Sequence, residues 1–204
     1  MKLDRSEVAR YLGYGTKPLS AEMEALVSRC EEQLYKTANP RRLGRRFVLF
    51  DLPFESRDLS QHLQHCKEVW LMVITLGSEV DRLLRIWSVE HIGKAAVGQA
   101  CAAVLMDQCC DDYLGELEQR LNQGEYLLPA YSPGYGDFSL IWQGELLRLL
   151  DASRRIGVSL TEGGMLVPEK TVTALVGITN YPAERCQQSC HACTKKDCKF
   201  RKGS

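Results

Sequence analysis

The sequence predicts an α+β fold in which helices flank an antiparallel β-sheet, with a helical segment at the N-terminus and a small cysteine-rich tail. Three observations carry this. Val69 to Leu76 is almost wholly apolar and rich in β-branched residues, the pattern of a central strand covered on both faces. Thr171 to Ile178 is a second β-prone run, and the pieces before it, Ile156 to Leu160 and Met165 to Val167, are joined by connections too short for parallel crossovers. Between these strands lie apolar residues at helical spacing.

In chain order, Asp4 with Glu7 three residues on forms a capping box for a first helix with Val8, Tyr11 and Leu12 on one face. Gly13-Tyr14-Gly15 breaks it. A second helix starts near Ser20, places Met23, Leu26, Val27, Cys30 and Leu34 on one face, and stops at Asn39-Pro40. Phe47 to Leu52 reads as a strand, and a short helix carrying Leu59, Leu63 and Cys66 follows. Gly77-Ser78 opens a helix with Val80, Leu83, Leu84 and Trp87 inward. Ser88 to about Leu121 reads as one long alanine-rich helix, whose small residues Ala95, Ala96, Ala100, Ala102 and Ala103 let a neighbour approach, most simply the sheet. Asp111, Asp112, Glu116 and Glu118 are its solvated face. Leu140 to Leu150 is amphipathic.

Composition narrows the class. The chain of 204 residues has 26 Lys plus Arg against 26 Asp plus Glu, so no global field draws it to nucleic acid or to a membrane. The hydrophobic share of 45% is that of a globular protein, and no apolar run is long enough to span a bilayer. The N-terminus lacks a signal peptide's apolar stretch, which points to a soluble cytoplasmic protein.

The nine cysteines are uneven: five fall in helical patterns, and Cys186, Cys190, Cys193 and Cys198 crowd into the tail. Four thiolates within thirteen residues suit a reducing compartment and one metal centre, either an iron–sulfur cluster or tetrahedral zinc. His191 is a spare ligand there. Composition shifts at Pro182, dividing the chain into a helical segment (1–40), a main domain (41–181) and the tail (182–204). The tail's lysines and Arg201 could steer an acidic electron-donor protein.

The most distinctive stretch is Leu128-Pro129-Ala130-Tyr131-Ser132-Pro133-Gly134-Tyr135-Gly136-Asp137. Pro133 fixes one φ, and glycines on either side of Tyr135 let main chain approach a ligand while an aromatic ring lies across it. Ser132 to Asp137, followed by Arg155 to Glu162 and Pro168 to Ala174, resembles the activation (reactivation) domain of vitamin B12-dependent methionine synthase. The start Arg10-Tyr11-Leu12-Gly13-Tyr14 and the cysteine tail resemble the free-standing members of that family.

The resemblance implies a twisted antiparallel sheet that binds S-adenosylmethionine and docks onto a corrinoid-carrying methyltransferase or methionine synthase module. When cobalt there has been oxidised to Co(II), one electron from a low-potential donor protein gives Co(I), which takes the methyl group of S-adenosylmethionine. Catalysis would then be positioning above all. By the same resemblance, Gly134 and Tyr135 match the Gly-Tyr of an Arg-x-x-x-Gly-Tyr element that contacts S-adenosylmethionine, and Ala130 stands at its arginine. An arginine there would hold the methionine carboxylate, a contact of about 1.5–3 kcal/mol that alanine lacks. Asp51 is the candidate for the family's early-strand aspartate, and Val176-Gly177 for its late-strand main-chain contact.

No Asp-x-His-x-x-Gly element is present, so the corrinoid would arrive on another protein. Two alternatives stand beside this reading. One is a corrinoid-protein docking module without S-adenosylmethionine. The other is a metal or iron–sulfur electron-transfer adaptor whose working part is the tail.

Overall fold

A computed structural model describes residues 2–15 and 17–181. Helix α1 (Arg5–Tyr11) is capped by Asp4, whose carboxylate accepts from the N–H groups of Ser6 at 2.8 Å and Glu7 at 3.4 Å. Helix α2 (Ala21–Thr37) begins at Ser20, whose hydroxyl accepts from Met23. Strand β1 (Arg41–Val48) follows and ends in a single 3-10 turn (Leu49–Asp51). The strand therefore starts six residues earlier than its apolar residues predict and stops before Asp51. Its four arginines hide it from a hydrophobicity argument, and they are tolerated because β1 is an edge strand.

Helix α3 (Arg57–His62) leads into β2 (Cys66–Thr75), so Cys66 belongs to the strand. Helices α4 (Ser78–Glu90) and α5 (Ile92–Glu118) are the two helices expected there, but they divide at His91 and not at Ser88. His91 is extended between them, with φ −163°, and its imidazole Nδ1 accepts from the N–H of Lys94. The small residues of α5 also serve a helix as well as the sheet. A Cβ at Gly98 would lie 2.3 Å from the Trp87 ring, so α4 packs there at a distance only glycine permits.

The rest of the chain supplies β3 (Tyr126–Leu127), α6 (Trp142–Leu150), α7 (Ala152–Ile156), β4 (Ser159–Leu160), β5 (Leu166–Val167) and β6 (Thr171–Thr179). Ile156, read as strand in the sequence, ends α7. The short strands β4 and β5 form a separate antiparallel ribbon.

The main sheet is twisted and antiparallel in the order β1-β2-β6-β3. Its two central strands sort residues strictly by alternation. Trp70, Met72, Ile74, Ala174, Val176 and Ile178 join a core with α1, α2, α4 and α5. Val69, Leu71, Val73 and Leu175 join a second core with α3, α6, α7 and Phe138. Covering both faces is what lets β2 be continuously apolar. Among the described residues no helix is long and apolar enough to cross a membrane.

Candidate functional site

The β3 edge of the sheet is where most of the sequence-predicted residues meet. Tyr126 and Leu127 pair with Thr179 and Ile178, and Leu128 donates to the Gly177 carbonyl at 2.8 Å. Tyr131 and Leu175 then exchange two hydrogen bonds, at 2.8 and 2.9 Å. Between those pairs two residues, Pro129 and Ala130, stand opposite one, Val176. This is a β-bulge, and proline belongs there because it has no N–H for a ladder. The Pro129 carbonyl turns aside to His62 Nε2 at 2.9 Å. As a result the Gly177 N–H, on the same side as its paired carbonyl, meets no main-chain acceptor among the described residues.

After Tyr131 the chain leaves the edge in a compact loop. Tyr135 donates to the Ser132 carbonyl at 3.1 Å, Phe138 to that of Tyr135 at 2.9 Å, and Gly134 to that of Phe138 at 2.6 Å. Gly134 and Gly136 have φ of +97° and +51°. At Gly136 space is as restrictive as φ: a Cβ would lie 2.2 Å from Asp58 Oδ2 and 2.7 Å from the Tyr131 hydroxyl. The Asp137 carboxylate accepts from the N–H groups of Arg57 at 2.9 Å and Asp58 at 3.1 Å, and from the Ser56 hydroxyl. The hydroxyl and then the amides hold Asp137 below the usual carboxylate range. The loop is thus tied to the start of α3 rather than hanging free.

Aromatic rings occupy the corner. Tyr131 lies 5.0 Å from His62, 5.7 Å edge-on from Tyr135 and 6.3 Å from Phe138, centroid to centroid. Burial pushes the Tyr131 hydroxyl up, and the charges of Asp58 and Asp137 add to that. Tyr135 is 56% exposed. Even so, its hydroxyl lies where desolvation raises its pKa, with Asp107 and Cys110 of α5 acting in the same direction. On α5 the Asp107 carboxylate accepts from the Tyr11 hydroxyl at 2.9 Å.

Ala130, Gly134, Tyr135, Val176 and Gly177 gather at this edge. Val176 is fully buried toward the helical core, and alternation turns its main-chain groups toward Trp70 of β2, so it offers neither side chain nor main chain to a ligand at this edge. Asp51 lies apart, exposed in the 3-10 turn after β1, the opposite edge strand, and no hydrogen bond joins it to the loop among the described residues. Cys186, Cys190, Cys193 and Cys198 lie outside the described residues. Ser56, Asp58, His62, Tyr131 and Asp107 were not singled out in the sequence. Only Ser56 carried a signal there, as a residue type suited to cap the short helix that follows.

A cavity of about 370 Å³ opens elsewhere, under α2 and α5, with Tyr35, Pro40, Arg42, Cys109 and Asp112 among its lining residues. None of the predicted residues lines it. Burial pushes the Cys109 thiol up, which makes it a poor nucleophile.

The chain matches no protein-family model, and a search of curated proteins found no match. Among solved structures it is similar to the crystal structure of the MetH reactivation domain bound to AdoHcy. The TM-score is 0.61 at 15% identity, over 84% of this chain and 73% of that one. At this identity the likeness shows a shared fold.

Proposed function

We propose that this chain is an accessory reactivation protein that binds S-adenosylmethionine at the bulged sheet edge. There it presents the sulfonium methyl to a corrinoid carried by a partner methyltransferase or methionine synthase module. The observation that carries the reading is the half-exposed Tyr135 ring standing beside an edge whose Gly177 N–H meets no main-chain acceptor among the described residues. A solved domain of the same fold is bound to AdoHcy, the demethylated form of the same donor.

The residues present fit an adenosyl group. Tyr135 offers a π-face, the Gly177 N–H a donor that no described main-chain acceptor meets, and the Asp137–Ser56 tie holds the loop in one geometry. Ala130 offers no cation for the methionine carboxylate, so binding rests on the adenosyl end and is correspondingly weaker. The corrinoid and the low-potential electron come from other proteins; an iron–sulfur cluster held by Cys186, Cys190, Cys193 and Cys198 would be suited to relay that electron, whereas zinc there would be structural, since it has no redox chemistry. Ala130 also favours a second reading, in which the chain docks onto the corrinoid protein without S-adenosylmethionine.

The test mixes the full chain with a Co(II)-loaded corrinoid methyltransferase module, a low-potential reductant and methyl-labelled S-adenosylmethionine. Label should reach the corrinoid much faster with the chain than without it. Equal rates would remove the reactivation reading, and chain–module binding without transfer would favour the second.

A further inference from the structure

The opposite edge of the sheet carries a second feature that reactivation does not use. Strand β1 is eight residues long, and no described strand pairs with its outer side. Leu175 uses its main-chain groups on Tyr131, so alternation across the sheet turns Leu43, Arg45 and Phe47 toward β2. Arg42, Gly44 and Arg46 then point their N–H and C=O groups outward, and no described backbone group bonds them. At the middle of this row a Cβ on Gly44 would lie 2.4 Å from the Tyr113 hydroxyl, so α5 closes over one face of the strand and leaves the edge itself open.

Guanidinium groups surround that edge. Arg41 and Arg45 lie on the strand's other face, where Arg41 reaches the main chain after α7 and Arg45 stacks 4.5 Å over the Phe47 ring. Arg42 lies 5.6 Å from the Tyr113 ring and pairs with Glu116 at 2.6 Å. Arg155 stands on α7, which packs against β1, and Arg120 lies just past the end of α5, the helix that carries Tyr113. Asp112 is the other carboxylate near Arg42. Arg46 is neutralised by Glu68 and Glu125. Arg41, Arg45, Arg120 and Arg155 have no carboxylate partner among the described residues, and the Nε of Arg41 is buried without a hydrogen bond.

We infer that β1 is a docking edge for an extended acidic segment of a partner protein, which adds as a fifth strand beside Arg42, Gly44 and Arg46 while its carboxylates meet Arg41, Arg45, Arg120 and Arg155. Main-chain hydrogen bonds supply the register and the arginines supply the choice of partner. A second copy of this chain is a poor occupant. Antiparallel self-pairing about Gly44 sets Arg45 of each copy diagonally beside Arg41 of the other on one face, neither with a carboxylate partner among the described residues, and like charges across a ladder are destabilising. The inference does not depend on S-adenosylmethionine, which belongs to the other edge.

The test uses the full chain and a blocked peptide of alternating glutamate and valine, with a lysine–valine peptide as control. At saturating acidic peptide, amide exchange at Arg42, Gly44 and Arg46 should slow by about tenfold or more, with no such change from the lysine peptide. Arg41→Ala with Arg45→Ala should weaken peptide binding about tenfold, and the exposed Arg120→Ala should weaken it by a smaller factor without touching β1. High salt should act in the same direction. No protection at millimolar acidic peptide would overturn the inference, as would equal protection by the lysine peptide. Protection that instead rises with protein concentration alone would identify a second copy as the occupant and overturn it too.

Discussion

Asp58 and Asp137 hold each other's main chain: each carboxylate accepts from the other residue's N–H, both at 3.1 Å, across 79 residues of sequence. The reciprocal pair fixes the glycine loop against α3 and so sets where the Tyr135 ring stands. The amides at the start of α3 complement Asp137, which is also how an isolated helix start would be capped. The same contact explains why Gly136 cannot carry a side chain.

Gly136→Ala should therefore lose about 1–3 kcal/mol of stability, from the left-handed φ and from displacement of the Asp58 carboxylate. Urea unfolding measures it. Exchange at the Arg57 and Asp58 amides should rise in the same variant, since the clamp is what protects them.

The Arg46–Glu68–Glu125 cluster predicts an acid limit. Arg46 donates to both carboxylates, and these bonds, with those from Asn122, hold Glu125 down at about 2. A carboxyl whose folded pKa is depressed adds stability above its unfolded pKa of roughly 4.5, and loses it as pH falls toward the folded value. Stability should thus fall between about pH 4.5 and pH 2. Glu125→Gln should flatten that fall and cost about 1.5–3 kcal/mol at neutral pH, the range for a hydrogen bond to a charged group. Denaturant midpoints across the pH series read both effects.

Gly98→Ala drives a methyl group into the Trp87 ring, which is almost fully buried. The expected cost is about 1–3 kcal/mol, as for overpacking elsewhere. Ala103, on the same helix and only half-buried, should tolerate glycine at about 1 kcal/mol, the helix-propensity difference alone. Thermal unfolding of the two variants separates packing from propensity.

The buried half of the fold was legible because burial dictates pattern. The apolar run of β2 and the helical spacing of α2 and α4 have few other readings. Strand β1 was hidden because an edge strand needs no apolar face toward solvent, and Arg41, Arg42, Arg45 and Arg46 erase its periodicity. The break between α4 and α5 was read three residues early, at Ser88, because no proline marks His91; a histidine accepting from Lys94 does the capping. At the site, Gly134 and Tyr135 were readable from local turn chemistry. The bulge was not, since it exists only relative to Val176 on another strand, and neither was Asp58, whose role is set by Asp137 far along the chain.

The central claim concerns one edge of one sheet, and an amide-resolved NMR titration of the full chain with S-adenosylmethionine tests it most directly. Shifts should concentrate at Ala130, Gly134, Tyr135 and Gly177, and Tyr135→Ala should abolish them at the same ligand concentration. An unchanged spectrum at millimolar ligand would contradict the claim, and so would shifts confined to the cavity beside Cys109.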